Sequence, residues 1–128
     1  MKRVIFSIFI TIPDKDLDNP GWYDEQGKLQ TTDKSKQSKD YFAKYFDRLK
    51  ARHIKYAKTL DVEYILHEYD DEYKNYVSYF QKNYPQISVY DIINFYKQEL
   101  MKRYASKYDE VCYLDFDVIP NTDESIFD

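Results

Sequence analysis

Three short apolar stretches, rich in β-branched and aromatic residues, predict β-strands. The first runs from about Lys2 to Ile12, the second from Val62 to Glu68 and the third from Glu110 to Leu114. The first is apolar at nearly every position, which is typical of a strand covered on both faces in a largely parallel sheet. It also imitates a secretion signal, but it is short, β-branched and has no small-residue cleavage site. We therefore interpret it as a buried strand.

Between these stretches, apolar residues recur at helical spacing. The clearest pattern runs from about Tyr41 to Leu60, a second from Asp71 to Asn83 and a third from about Ser88 to Ser106. Residues 13–38 show almost no periodic apolar signal, and their Pro, Gly, Ser and Thr content predicts a long polar loop. Loops of this length in compact domains are usually functional or disordered.

The predicted order of elements is strand, long loop, helix, strand, two helices and strand. This order favours an α/β fold in which right-handed crossovers join parallel strands. We expect a three-layer α/β/α sandwich with a mainly parallel, Rossmann-like sheet. A length of 128 residues fits one domain, so residues 1–128 are expected to form a single unit.

Composition excludes several kinds of site. The chain has only two glycines, Gly21 and Gly27, so neither a Walker-type phosphate loop nor a G-x-G-x-x-G turn can be built. With 19 basic and 23 acidic residues the net charge is −4, which makes no case for nucleic-acid binding. The single cysteine and two separated histidines suit neither an internal disulfide nor a zinc site. We expect a cytoplasmic protein, and the N-terminal apolar run is shorter than the roughly 20 residues of a membrane span.

The pair Asp115 and Asp117 is the strongest chemical signal in the chain, because it follows directly after the third apolar strand. In an extended segment, residues two apart point to the same side, so both carboxylates would face one site while Phe116 turns away. Ligands of open α/β sheets bind beyond the carboxyl ends of the strands. Two carboxylates there suit Mg²⁺ or Mn²⁺, which leaves coordination positions open for phosphate oxygens.

Residues 108–122, which read YDEVCYLDFDVIPNT, resemble the metal-binding segment of nucleotide-diphospho-sugar glycosyltransferases of the GT-A fold. The order of elements before this segment is similar to the nucleotide-binding half of that family. The resemblance implies a transferase that moves a sugar from a nucleotide-diphosphate donor to a glycan, lipid or protein acceptor. Mn²⁺ or Mg²⁺ would be its cofactor.

The resemblance also implies roles for individual residues. Asp117 would be the principal metal ligand, and Asp115 would contact the metal or the ribose. Thr11 and Ile12 stand where the family contacts the base, and Glu68 could bond a base or ribose edge. Lys97 is a candidate to reach the diphosphate from the helix before the metal strand, in competition with two other helix cations, Lys102 and Arg103.

Two other functions stay open from the sequence. Asp115-Phe116-Asp117-Val118 is also similar to the nucleophile segment of haloacid-dehalogenase-type phosphohydrolases, with Asp115 as nucleophile, although that segment normally follows the first strand. A non-catalytic module that binds protein or glycan is the third hypothesis, prompted by 15 Tyr, 8 Phe and 1 Trp. A complete GT-A enzyme has a second half after the metal segment, so we expect residues 1–128 to form an incomplete GT-A domain.

Overall fold

The computed structural model describes residues 1–11, 22–23, 26, 29–30, 33–87 and 89–127, with backbone alone for residues 22–23, 29–30, 33–40 and 89–90. Within this part of the chain the strands are β1 (Arg3–Ile8), β2 (Trp22–Tyr23), β3 (Leu29–Gln30), β4 (Glu63–His67) and β5 (Glu110–Tyr113). The helices are α1 (Asp33–Thr59), α2 (Asp71–Asn83) and α3 (Val89–Ala105). The last two predicted strands and the last two predicted helices are confirmed with small shifts at their ends. The first strand is confirmed, but it ends at Ile8, four residues before the predicted end at Ile12.

A small, open, all-parallel sheet of three strands organises the fold. Its order is β4-β1-β5, so β1 is the central strand. Ile8 of β1 pairs with His67 of β4, and Phe6 pairs with Tyr113 of β5. The predicted α/β class is therefore confirmed. The carboxyl ends of the strands share one edge of the sheet because all three run in the same direction.

The core lies on both sides of β1, since successive side chains of a strand point to opposite faces. Val4, Phe6 and Ile8 belong to a buried cluster with Tyr73 of α2 and, from α3, with Tyr96, Leu100 and Tyr104. Ile5 belongs to a second cluster with Tyr56 and Ala57 of α1 and with Leu114. This double burial explains why β1 is apolar along nearly its whole length.

The prediction of an uninterrupted loop over residues 13–38 is wrong at two places. Helix α1 begins at Asp33, and β2 pairs with β3 as a short antiparallel ribbon. The first turns of α1 were not predicted because apolar periodicity indicates only a packed helix face, and residues 33–38 are all polar. They include helix formers such as Lys and Gln, and the acidic Asp33 at the start favours a helix N-terminus. The rest of the predicted loop, apart from the turn residue Gln26, lies outside the described residues.

Helix α1 ends without a glycine. Asp61 takes the left-handed conformation with φ of 54°, and the next residue, Val62, donates its backbone N–H to the Ala57 carbonyl at 2.9 Å. Glycine usually occupies this position, and aspartate is among the few residues that tolerate it. In the described ranges, no helix has the length and apolar character needed to cross a membrane.

Candidate functional site

The candidate site lies at the carboxyl edge of the sheet, beside β1 and β5. The connection from β1 to β4 contains α1, which packs with Ile5, while α2 and α3 lie between β4 and β5 and pack with Val4 and Phe6. Because β4 and β5 flank β1 on opposite sides, the strand order reverses at β1. Ligands of open α/β sheets bind in the crevice at such a reversal.

Asp115 and Asp117 lie in a tight turn at this edge. The backbone N–H of Leu114 donates to Phe6 at 2.9 Å, and the N–H of Val118 then donates to the Asp115 carbonyl at 3.0 Å. The acids are therefore not in the extended segment that the sequence predicted. Beyond Leu114 the backbone no longer pairs with β1 and instead forms a hydrogen bond within the turn. Both acidic side chains are nevertheless exposed, and the opposite facing of Phe116 is confirmed by its 4% exposure.

Phe116 anchors this turn in an aromatic cluster. Its ring centroid lies 5.0 Å from that of Phe9, which follows β1, and 5.6 Å from that of Phe46 on α1. Phe42 and His53 of α1 complete the contacts, at 6.4 and 5.4 Å. Tilted and edge-on ring pairs at these distances add to the stabilisation from burial. The buried ring thus fixes the turn while the two carboxylates remain in solvent.

A buried polar network holds the other end of the turn. His53 Nε2 lies 2.6 Å from the Val118 carbonyl oxygen, and the Ser7 hydroxyl donates to the Leu114 carbonyl at 2.6 Å. A carbonyl can only accept, so Nε2 carries the proton and Nδ1 of neutral His53 is an acceptor. With the Ser7 proton already directed to Leu114, the Tyr64 hydroxyl donates to Nδ1 at 3.0 Å.

The electrostatics of this network favour neutral His53. Burial lowers the pKa of His53, and the hydrogen bond to Val118 and the charge of Asp117 oppose this shift without reversing it. Burial also raises the pKa of Tyr64 to about 12, so this hydroxyl keeps its proton at neutral pH. His53 therefore has a structural role beneath the acidic turn, as expected for a histidine on the apolar side of α1.

Lys97 and Asp115 come together through Tyr113. The Lys97 ammonium nitrogen lies 4.8 Å from the centroid of the Tyr113 ring. Burial raises the pKa of the Tyr113 hydroxyl, and the nearby charge of Asp115 raises this pKa further. Lys97, Tyr113 and Asp115 therefore lie near one another beside the turn.

Three other residues were predicted for the nucleotide side of the site. Thr11 follows β1 and Glu68 follows β4, and both side chains are exposed at the carboxyl edge of the sheet. Among the described residues, no hydrogen bond or ion pair joins either side chain to the acidic turn. Ile12 lies outside the described residues.

A divalent cation would have two carboxylates available here. No group of three or more His, Cys, Asp and Glu side chains among the described residues could hold a metal ion. Mg²⁺, however, is commonly bound through one or two carboxylates together with substrate phosphates and water. The exposed oxygens of Asp115 and Asp117 fit that donor set and do not form a complete protein cage.

Sequence reasoning missed the residues that support the turn. The Ser7 and Tyr64 hydroxyls form hydrogen bonds beside the turn, and Tyr113 lies near Asp115. None of these three residues was singled out. Ser7 offered a signal, because it is the one hydroxyl residue within the apolar run of β1, from Arg3 to Ile8. A small polar residue buried in a central strand needs a specific partner.

Comparisons of this chain with protein-family models, with curated proteins and with solved structures find no match.

Proposed function

We propose that the chain is a metal-dependent glycosyltransferase, or the donor-binding half of one. It would transfer a sugar from a nucleotide-diphosphate sugar to a glycan, lipid or protein acceptor. The observation that carries this proposal is the turn from Asp115 to Val118, which presents two exposed carboxylates beside β1 while Phe116 and His53 hold it from below. Because the turn is already ordered, ligand binding does not have to supply the free energy of ordering it.

Asp115 and Asp117 would hold Mn²⁺ or Mg²⁺ at this position. The ion supplies Lewis-acid stabilisation of the charge that grows on a departing diphosphate. A metal held by carboxylates suits this chain because its two glycines cannot form a backbone cradle for phosphate.

The side chains around the turn would position the donor. The Tyr113 hydroxyl lies beside the Asp115 carboxylate, and Lys97, held over the Tyr113 ring, would bring a positive charge to the same side. Thr11 and Glu68, exposed at the same sheet edge, would contact the base or ribose. The roles of Thr11 and Glu68 follow from their positions beyond the carboxyl ends of parallel strands, and that of Lys97 from its position over the Tyr113 ring.

The finer architecture belongs to the same proposal. The two clusters on opposite faces of β1, one with α1 and the other with α2 and α3, support a three-layer α/β/α sandwich of the GT-A nucleotide-binding type. We place the protein in the cytoplasm, where nucleotide sugars would be its donors.

Titration calorimetry with uridine diphosphate and guanosine diphosphate, with and without Mn²⁺, tests the proposal. We expect at least one diphosphate to bind only when Mn²⁺ is present. Asp117→Asn should weaken this binding at least about tenfold, because one charged contact contributes roughly 1.5–3 kcal/mol. The matched control is Asp47→Asn, which removes an exposed carboxylate on α1 that forms no hydrogen bond or ion pair with the turn among the described residues.

Metal-independent binding, or equal losses in Asp117→Asn and Asp47→Asn, would contradict the proposal. Turnover of a phosphate ester that depends on Asp115 and needs no sugar donor would favour the phosphohydrolase instead.

A further inference from the structure

A second concave site lies between α1 and the segment that follows the acidic turn. Its volume is about 250 Å³. One wall is formed by Arg52, Lys55, Tyr56 and Thr59 of α1, and the other by residues 120–123. Lys97 and Tyr113, by contrast, belong to the side of the sheet where α3 packs. The cavity is therefore separate from Lys97 and Tyr113, which lie beside Asp115.

The wall opposite α1 is held in place by specific contacts. The Tyr56 hydroxyl donates to the Glu124 carbonyl at 2.7 Å, and the Glu124 N–H donates to the Thr122 hydroxyl oxygen at 3.1 Å. Phe127 then packs against the buried cluster that contains Ile5 and Tyr56. These contacts fix residues 120–124 against α1, so the cavity is a formed feature of the fold.

The cavity has two cations on one side. Arg52 and Lys55 are three residues apart on α1, which places them on the same face of the helix one turn apart. Both side chains are exposed, and neither forms an ion pair or hydrogen bond with another described residue. Two exposed cations one turn apart are suited to an anionic group such as phosphate, for which arginine is a bidentate donor.

The opposite wall is polar but not cationic. Asn121 offers an amide, Thr122 a hydroxyl and Asp123 a carboxylate. The Asp123 carboxylate would repel a bare anion, but it can accept hydrogen bonds from ligand hydroxyls. The walls therefore suit a molecule with an anionic group at one end and hydroxyls at the other.

We propose that this cavity binds a small phosphorylated sugar, with its phosphate on Arg52 and Lys55 and its hydroxyls on Asn121 and Asp123. The cavity volume of about 250 Å³ limits the size of the ligand, because pockets for drug-sized molecules occupy roughly 300–1,000 Å³. A single sugar ring with one phosphate is on the scale of the smaller cavity. This site goes beyond the donor site proposed above and does not depend on it.

Calorimetry in the presence of EDTA tests the proposal with glucose 6-phosphate as the probe. Chelation removes any metal contribution from Asp115 and Asp117. We expect glucose 6-phosphate to bind the wild-type chain more tightly than inorganic phosphate or glucose alone. The double variant Arg52→Ala, Lys55→Ala should weaken binding at least about tenfold, because two charge-assisted contacts are lost.

Matched controls separate this site from general electrostatics. The double variant Arg48→Ala, Lys58→Ala removes two exposed cations from α1 outside the cavity and should bind glucose 6-phosphate like the wild type. Asp123→Asn should reduce the preference for glucose 6-phosphate over inorganic phosphate, since it weakens the hydroxyl acceptor and removes the repulsion. Asp117→Asn should leave this binding unchanged, which separates the outcome from that of the donor-site test.

Amide chemical shifts provide a second measurement. Glucose 6-phosphate should shift the amide signals of residues 52–59 and 121–124. The proposal is overturned if the probe does not bind, if both double variants lose affinity equally, or if inorganic phosphate binds as tightly. Shifts confined to residues 115–117 would also overturn it, because they would place the ligand at the acidic turn.

Discussion

Replacing Phe116 by alanine is the most direct test of how the acidic turn is held. The ring is 4% exposed and contacts the rings of Phe9, Phe46 and His53. Truncation of a buried phenylalanine typically costs about 3–5 kcal/mol, because transfer free energy is lost and a cavity is left. Domains of this kind are stable by only about 5–15 kcal/mol, so Phe116→Ala should remove a large part of the free energy of unfolding.

Urea denaturation followed by circular dichroism measures this effect. We expect Phe116→Ala to lower the urea concentration at the unfolding midpoint. The slope of the free energy of unfolding against urea should change little, because the substitution removes native contacts but leaves the surface exposed on unfolding similar. Phe116→Leu should cost less than Phe116→Ala, since leucine still fills part of the cavity. Ile119→Ala is the control, because Ile119 lies three residues further along and is 38% exposed.

The reasoning fails if Phe116→Ala costs no more than Ile119→Ala. In that case the backbone hydrogen bonds and the contacts of Ser7 and His53 would hold the turn without the Phe116 ring.

Two further predictions concern His53, which lies beneath the turn, and the N-terminal cap of α2. The pKa of His53 is lowered from 6.5 in the folded chain, so the unfolded chain binds more protons below that pH and stability should fall as the pH drops below about 6.5. A histidine NMR titration that gives His53 a pKa above 6.5 would contradict this. Asp70 caps α2 by accepting the N–H of Tyr73 at 2.9 Å, and Asp70→Ala should cost about 1 kcal/mol in urea denaturation. Asp71→Ala, in the first turn but not the cap, should cost less, and equal costs would refute the capping role.

Much of the fold could be predicted because its signals are local. Helix α2 was predicted from Asp71 to Asn83 and has those bounds, since its apolar spacing and the proline after Tyr84 are both visible in the sequence. Helix α1 was predicted too short because its first turns carry no apolar pattern. The paired acids after β5 were visible as a motif. Their turn was not, because it depends on where the hydrogen bonds between β1 and β5 end.

The amino-acid sequence by itself determined the α/β class, the burial of the first strand on both faces and the position of Asp115 and Asp117 beyond the last strand. Apolar periodicity and residue type carry that information, because they act over a few neighbouring residues. Only the tertiary structure decided what surrounds those acids. Ser7, His53 and Tyr64 come from three different elements, and the cavity between α1 and residues 120–123 joins parts of the chain about 65 residues apart. Such contacts depend on how the elements pack around β1, and no local pattern records that packing.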